Sequence, residues 1–467
     1  MTGMNENPLD LLPELLVLAG AVIGLLAGLF LRRERQRLVA WICAAALVAA
    51  LGATAIAAVR PDMTAFESYS LDLLTHVARA TVIVATLLLI VLAAGWARGS
   101  SREAEVYVLI MLASLGTILL AGADDLLVLV AAYLLASIPA YGLAGFAKDA
   151  AGTEAALKYY LMGAFLGVLM LAGVTLLYGL SGATAYEELG ERLTVAPGGA
   201  VGLGIVLLLA GVLFKAGGAP AQFWVPDVTE GASRPVAAFV TTIPKVGAFV
   251  ALLRLATEVF DGTDSGWRLL IAVIAAATMT LGNLAAFYQD NVRRLLAYST
   301  ISQAGYLLMP IAVAGRSELA EPALLFYVAA YALTNIGAFA VVLAVGEDLV
   351  TDYAGLARRA PGLLLALVVC LLGLVGTPPA AVFVGKVLVF TAAWDGGYAW
   401  LAVVAVVNTV ASVFYYLRWI RPAFRHVETD AALAEGGARW IAYAAALASL
   451  LLGVGAGAVL TAGFTVS

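Results

Sequence analysis

Three lysines stand inside long apolar stretches of this chain: Lys215 in GVLFKAGGAP, Lys245 in TTIPKVGAFV and Lys386 in AVFVGKVLVF. The sequence has only five lysines against 21 arginines, so more than half of its lysines are placed where charge is expensive. A guanidinium stays protonated in any protein setting, whereas an ammonium taken out of water can give up its proton near neutral pH. A lysine at mid-membrane costs roughly 2.5–3.5 kcal/mol on insertion scales, so three of them ask for a reason. One reason is a relay, in which buried amines joined by water pass protons along. The other is that the long stems carry each ammonium to an interface or beside a carboxylate. Lys245 has little room to do so, being well inside its stretch and next to Pro244.

The remaining titratable groups in apolar stretches say less. Arg79 and Arg254 cannot hand on a proton, and counter-charge or interhelix anchoring suits them better. His76 reads as an ordinary packing residue and His426 as a solvated loop residue. Cys43 and Cys370 are far apart in sequence and lack the clustered ligand spacing that metal or redox chemistry requires.

The elements that must position these residues are membrane helices. The chain is 63% hydrophobic and 12% charged, against about 25% charged in a soluble domain. A net charge of −5 without a basic tract argues against a nucleic-acid partner. Fourteen stretches reach the ~20 residues needed to cross a bilayer, which predicts an all-α polytopic membrane protein. With both termini outside, 17 positive charges fall in cytoplasmic segments and 4 in outside loops; the positive-inside rule then sets the direction. Trp41, Trp96, Trp267, Trp394, Trp400, Trp419 and Trp440 fall near expected span ends, as interfacial aromatics do.

Two spans are interrupted, the seventh by GGAPAQFWVPD after Lys215 and the twelfth by GTPP before Lys386. Broken helices at membrane depth are tolerated only where they line a cavity or lie buried in protein. Paired breaks in two halves point to a transport path. An offset of five helices is odd, which is the arithmetic of two inverted five-helix repeats. The expected divisions are three N-terminal helices (1–104), a first repeat (105–260), a second (261–420), and a loop with the last helix (421–467).

The stretch FKAGGAPAQFWVPDVTEGASRPVAAFVTTIPKVGAF resembles the central signature of the antiporter-like membrane subunits of respiratory complex I. LLPELLVLAG, EAALKYYLMGAF, NLAAFYQDNVRRLLAYSTISQAGYLLM, DYAGLARRAPGLLLAL and GTPPAAVFVGKVLVF extend that resemblance over essentially the whole chain. It implies a proton-translocating subunit of an NADH-quinone oxidoreductase in a cell inner (plasma) membrane. No redox site or cofactor is expected in this chain. FMN, iron–sulfur clusters and quinone would belong to partner subunits. The implied neighbours are antiporter-like subunit M, small membrane subunits and the lipid bilayer.

By the same resemblance, Lys215, Lys245 and Lys386 are the relay lysines of the seventh, eighth and twelfth helices. Lys158 and Glu154 match a charged pair at the start of the sixth. Their spacing of four permits a same-face contact, which serves either coupling or a plain helix-end ion pair. Two positions depart from the family pattern: Leu134 stands where a fifth-helix glutamate pairs with the seventh-helix lysine, and Gln303 replaces a tenth-helix histidine. Without that glutamate, a switch built on making and breaking the ion pair is unavailable. The alternatives are a cation/proton antiporter subunit, from the sister family, or a divergent structural subunit with impaired pumping, which the missing glutamate favours.

Overall fold

Lipid offers no partner for backbone N–H and C=O groups, so an apolar chain of this kind must satisfy them within its own helices. The computed structural model describes residues 7–263, 265–425 and 436–464; His426 lies outside them. In chain order the helices are α1 (Leu12–Phe30), α2 (Arg37–Ala57), α3 (Leu73–Ala97), α4 (Glu103–Gly122), α5 (Leu126–Ala144), α6 (Ala150–Ser181) and α7 (Tyr186–Leu193). Then come α8 (Gly198–Ala216), α9 (Trp224–Gly231), α10 (Arg234–Arg254), α11 (Trp267–Ala286), α12 (Val292–Ala312) and α13 (Ala320–Val345). The last are α14 (Leu356–Arg359), α15 (Pro361–Val375), α16 (Ala381–Asp395), α17 (Ala399–Ala423), α18 (Gly437–Val454) and α19 (Ala456–Phe464). The strands among the described residues form one hairpin, β1 (Met63–Ala65) against β2 (Tyr69–Leu71).

Among the described residues, 12 helices are long and apolar enough to cross a membrane. This is a multi-pass membrane protein. The other two expected spans correspond to α12 and to the α15–α16 pair. Helix α12 opens on Arg293 and Arg294 and carries Ser299, Thr300, Ser302 and Gln303, all four buried in protein rather than facing lipid. Helices α15 and α16 have 15 residues each, because the chain breaks between them.

The chain divides into two compact units. The first comprises Met1–Leu143, Gly163–Val212 and Ile243–Gly266. Within it α1 packs on α2 and α4, and α3 on the same two helices. A buried ion pair joins α1 to α3: Arg79 Nε donates to Glu14 at 2.6 Å, and the Tyr69 hydroxyl donates to the same carboxylate at 2.8 Å. Arg254 is anchored to Asp72 at 2.8 Å and to Glu258 at 2.9 Å. Burial would raise the Asp72 carboxyl, but the charge of Arg254 and the hydrogen bond from Thr75 N hold it below its ordinary value. Both intramembrane arginines thus act as anchors.

The second unit comprises Ala144–Met162, Leu213–Thr242 and Trp267–Ser467. Its core is α12 and α13, with α11 against α12, α15, α16 and α18 against α13, and α17 against α11, α15 and α16. Two glycines let α11 and α12 cross closely. A Cβ at Gly305 would stand 2.5 Å from Met279 N, and one at Gly282 would stand 2.5 Å from Ser302 N. Of the seven end-of-span tryptophans, five are exposed. Trp267 and Trp419 are instead buried, packing against Arg268 and Tyr353 inside the protein.

Candidate functional site

Both helix breaks end in the same way. Helix α8 stops at Ala216; Gly217 follows at φ +75, and the N–H groups of Gly217 and Gly218 both return to the Leu213 carbonyl. Helix α15 stops at Val375; Gly376 follows at φ +89, with Gly376 N and Thr377 N returning to the Leu372 carbonyl. A left-handed residue after the last turn is the common C-terminal stop, and it favours glycine. The carbonyls such an end leaves over need donors. Trp224 Nε1 donates to Phe214 O at 3.0 Å, Gln303 Nε2 to Leu374 O at 2.8 Å, and Lys386 Nζ to Val375 O at 2.8 Å.

The two lysines therefore meet their breaks from opposite sides. Lys215 is fully buried in the last turn of α8. Lys386 belongs to α16 and reaches back over the break to α15; a Cβ on Gly376 would stand 2.8 Å from its Cδ. Lys386 Nζ thus sits at the carboxyl end of α15 and Lys215 belongs to the last turn of α8, the ends of half-helices where the macrodipole favours a cation. Beside the first break, Trp224 stacks on Tyr159 with centroids 4.3 Å apart and lies 5.2 Å from Phe214.

Lys386 is 2% exposed. Its Nζ also donates to Thr409 Oγ1 at 3.4 Å and lies 4.1 Å from the centre of the Tyr306 ring. Gln303 accepts from the Tyr327 hydroxyl at 2.5 Å while capping Leu374. It thus fills a bonding position without a charge to change. On α10, Thr241 and Thr242 accept from Asn335 Nδ2 at 3.1 and 2.8 Å. Tyr331 donates to the Thr241 carbonyl at 2.7 Å, and the Thr300 hydroxyl meets the Tyr331 oxygen at 3.0 Å. Lys245 follows Thr241 by one turn on α10, in a stretch that is buried throughout and is itself 1% exposed. Polar side chains thus run through an otherwise apolar core from α10 by α13 to α12.

Glu154 and Lys158 meet as their spacing implies, at 2.7 Å, but on an exposed face. Lys158 also binds Asp227 at 2.8 Å; Asp227 accepts from Arg294 at 3.0 Å, and Arg294 reaches Glu230 at 2.8 Å. Burial alone would raise the Asp227 carboxyl; hydrogen bonds from Lys158 and Arg294 outweigh it and hold the group below its ordinary value. Sequence reasoning missed Asp227, Arg294, Glu14 and the capping role of Trp224. The first two sit within the quoted VPDVTEG and NVRRLL motifs, so their charge was the available signal. Leu134 lies on an exposed face of α5, at 45%.

Residues 123–412, more than half of the chain, match the family described as NADH:quinone oxidoreductase/Mrp antiporter, TM. The chain belongs to this family. Its relatives in the NADH:quinone oxidoreductase/Mrp antiporter family include NADH-quinone oxidoreductase subunit N 1 of Streptomyces griseus subsp. griseus. That protein is 55% identical, over 98% of this chain and 98% of its own length. Another, NADH-quinone oxidoreductase subunit N of a Mycobacterium species, is 54% identical over 97% of each. A chain of the respiratory complex I of Thermus thermophilus, solved with bound aureothin, superposes with a TM-score of 0.82 at 32% identity, covering 96% of this chain and 98% of that one.

Proposed function

We propose that this chain is the N-type membrane subunit of an NADH-quinone oxidoreductase, and that it couples quinone reduction elsewhere in the complex to proton transfer along Lys215, Lys245 and Lys386. The observation that carries the reading is the burial of all three lysines, two of them beside the breaks of interrupted helices, in a chain similar to subunit N proteins over 97–98% of its length. Broken half-helices with buried ionisable groups are what a transport path requires. Two inverted five-helix repeats, over 105–260 and 261–420, would give one break to each half. Lys158 and Glu154, with Asp227 and Arg294, would couple the entry of the sixth helix to the first break.

Electron carriers belong on this reading to partner subunits, namely FMN, iron–sulfur clusters and quinone. Subunit M and small membrane subunits would be the neighbours, in a plasma membrane with both termini outside. Purification decides against a cation/proton antiporter: the tagged chain should bring down flavin and iron–sulfur subunits that oxidise NADH. Recovery with antiporter subunits alone would overturn the assignment.

The structural-subunit reading draws on Leu134, an exposed apolar residue where the resemblance implies a carboxylate. Lys215→Ala separates the two readings. A full loss of pumping shows that the seventh-helix lysine still couples, and an unchanged rate shows that it does not.

A further inference from the structure

The hydrogen bonds around Lys386 have a direction. Nζ donates to Thr409 Oγ1 at 3.4 Å, Thr409 Oγ1 donates to the Tyr306 hydroxyl at 3.1 Å, and that hydroxyl donates to Ala405 O at 3.4 Å. Each hydroxyl in the series both accepts and donates, as a proton wire requires. The other acceptor of Nζ, Val375 O, is a backbone carbonyl with no hydroxyl beyond it, whereas on the Thr409 side two hydroxyls intervene before the series reaches a carbonyl, Ala405 O. Gln303 occupies the neighbouring carbonyl, Leu374 O. Thr409 and Ala405 are one turn apart on α17. The step from one to the other leads toward the Ala399 end of that helix, which the charge distribution places outside. Tyr306 is fully buried, whereas Thr409 is only half-buried.

We propose that Thr409 and the Tyr306 hydroxyl form the outward hand-off for a proton held on Lys386, an inference that rests on the relay reading above. One proton moves at each bond. The Lys386 ammonium gives a proton to Thr409 Oγ1 as Thr409 gives its own to the Tyr306 oxygen. Tyr306 turns its hydroxyl from the Ala405 carbonyl and releases its original proton to a water molecule that must enter from the outer end of α17. Lys386 is left as a neutral amine, the two hydroxyls are restored, and nothing is oxidised or reduced. The Tyr306 ring, 4.1 Å from Nζ, holds the ammonium over its face while its hydroxyl serves the wire.

The test uses the assembled complex in sealed vesicles, with protons moved per quinone reduced as the readout. Thr409→Val and Tyr306→Phe each remove one hydroxyl and keep the shape and, for the second, the ring. Each should lower that ratio as far as Lys386→Ala does, while Thr409→Ser restores it. Lys386→Ala is the control for the underlying reading. If Lys386→Ala pumps as wild type, the relay fails and the hand-off with it. If Lys386→Ala stops pumping while Thr409→Val and Tyr306→Phe retain the wild-type ratio, the hand-off alone is overturned. Normal pumping by Tyr306→Phe with loss in Tyr306→Leu would reduce Tyr306 to a ring that holds the lysine, and would also overturn it.

Discussion

Asp227 shows how a charge is tuned at the edge of the membrane region. It accepts from Lys158 at 2.8 Å and from Arg294 at 3.0 Å, and its carboxyl sits below the ordinary 3.8 despite partial burial. A depressed folded-state value stabilises the fold above the ordinary value, and that contribution is lost as pH falls through the folded one. Thermal stability in detergent should therefore hold from neutral pH down to about 4 and then decline. Asp227→Asn should be less stable near neutrality and show a smaller acid-dependent loss; an unchanged acid profile would contradict the ion network. The residues that sequence made legible were those whose type clashed with their surroundings, such as lysines among valines and leucines. Trp224 and Gln303 were not legible in this way. Their partners are backbone carbonyls, which become acceptors only once a helix has stopped.

At the level of elements, the ends and crossings of helices carry the information. Gly and Pro placed the breaks after Lys215 and before Lys386 in the sequence itself, since neither continues a helix well. That the Lys386 amine returns across its break to α15 was not legible, because it depends on the stem running back past Gly376. The pairing of α1 with α3 was also hidden. Glu14 and Arg79 are 65 residues apart and meet at 2.6 Å with both side chains buried. Removing one partner leaves a buried charge without its counterpart, which costs about 3–5 kcal/mol. Glu14→Gln should lower the unfolding free energy by that order in a denaturation series. Replacing both partners, as in Glu14→Leu with Arg79→Met, should recover much of the loss. A Glu14→Gln protein as stable as wild type would remove the ion pair from what holds α1 to α3.

Over the whole molecule, an all-helical multi-pass architecture was readable from composition and span length alone, and the family from its motifs. Orientation rests on 17 positive charges against 4. Single cysteines at Thr2 or Ser467 should be labelled from outside by a membrane-impermeant maleimide, and Ser101→Cys should react only from the cytoplasmic side. The native Cys43 and Cys370 are buried and should stay silent; the reverse labelling pattern would invert the topology. Function at this scale depends on whether the buried amines conduct, and Lys245 is the most direct probe. It lies in a stretch that is buried throughout and follows Thr241 and Thr242 on α10. The decisive measurement is proton uptake or release by sealed vesicles containing the complex with Lys245→Ala, read against quinone reduction in the same sample. A relay predicts that the assembled Lys245→Ala complex moves far fewer protons per quinone reduced; a wild-type ratio in that complex would contradict it.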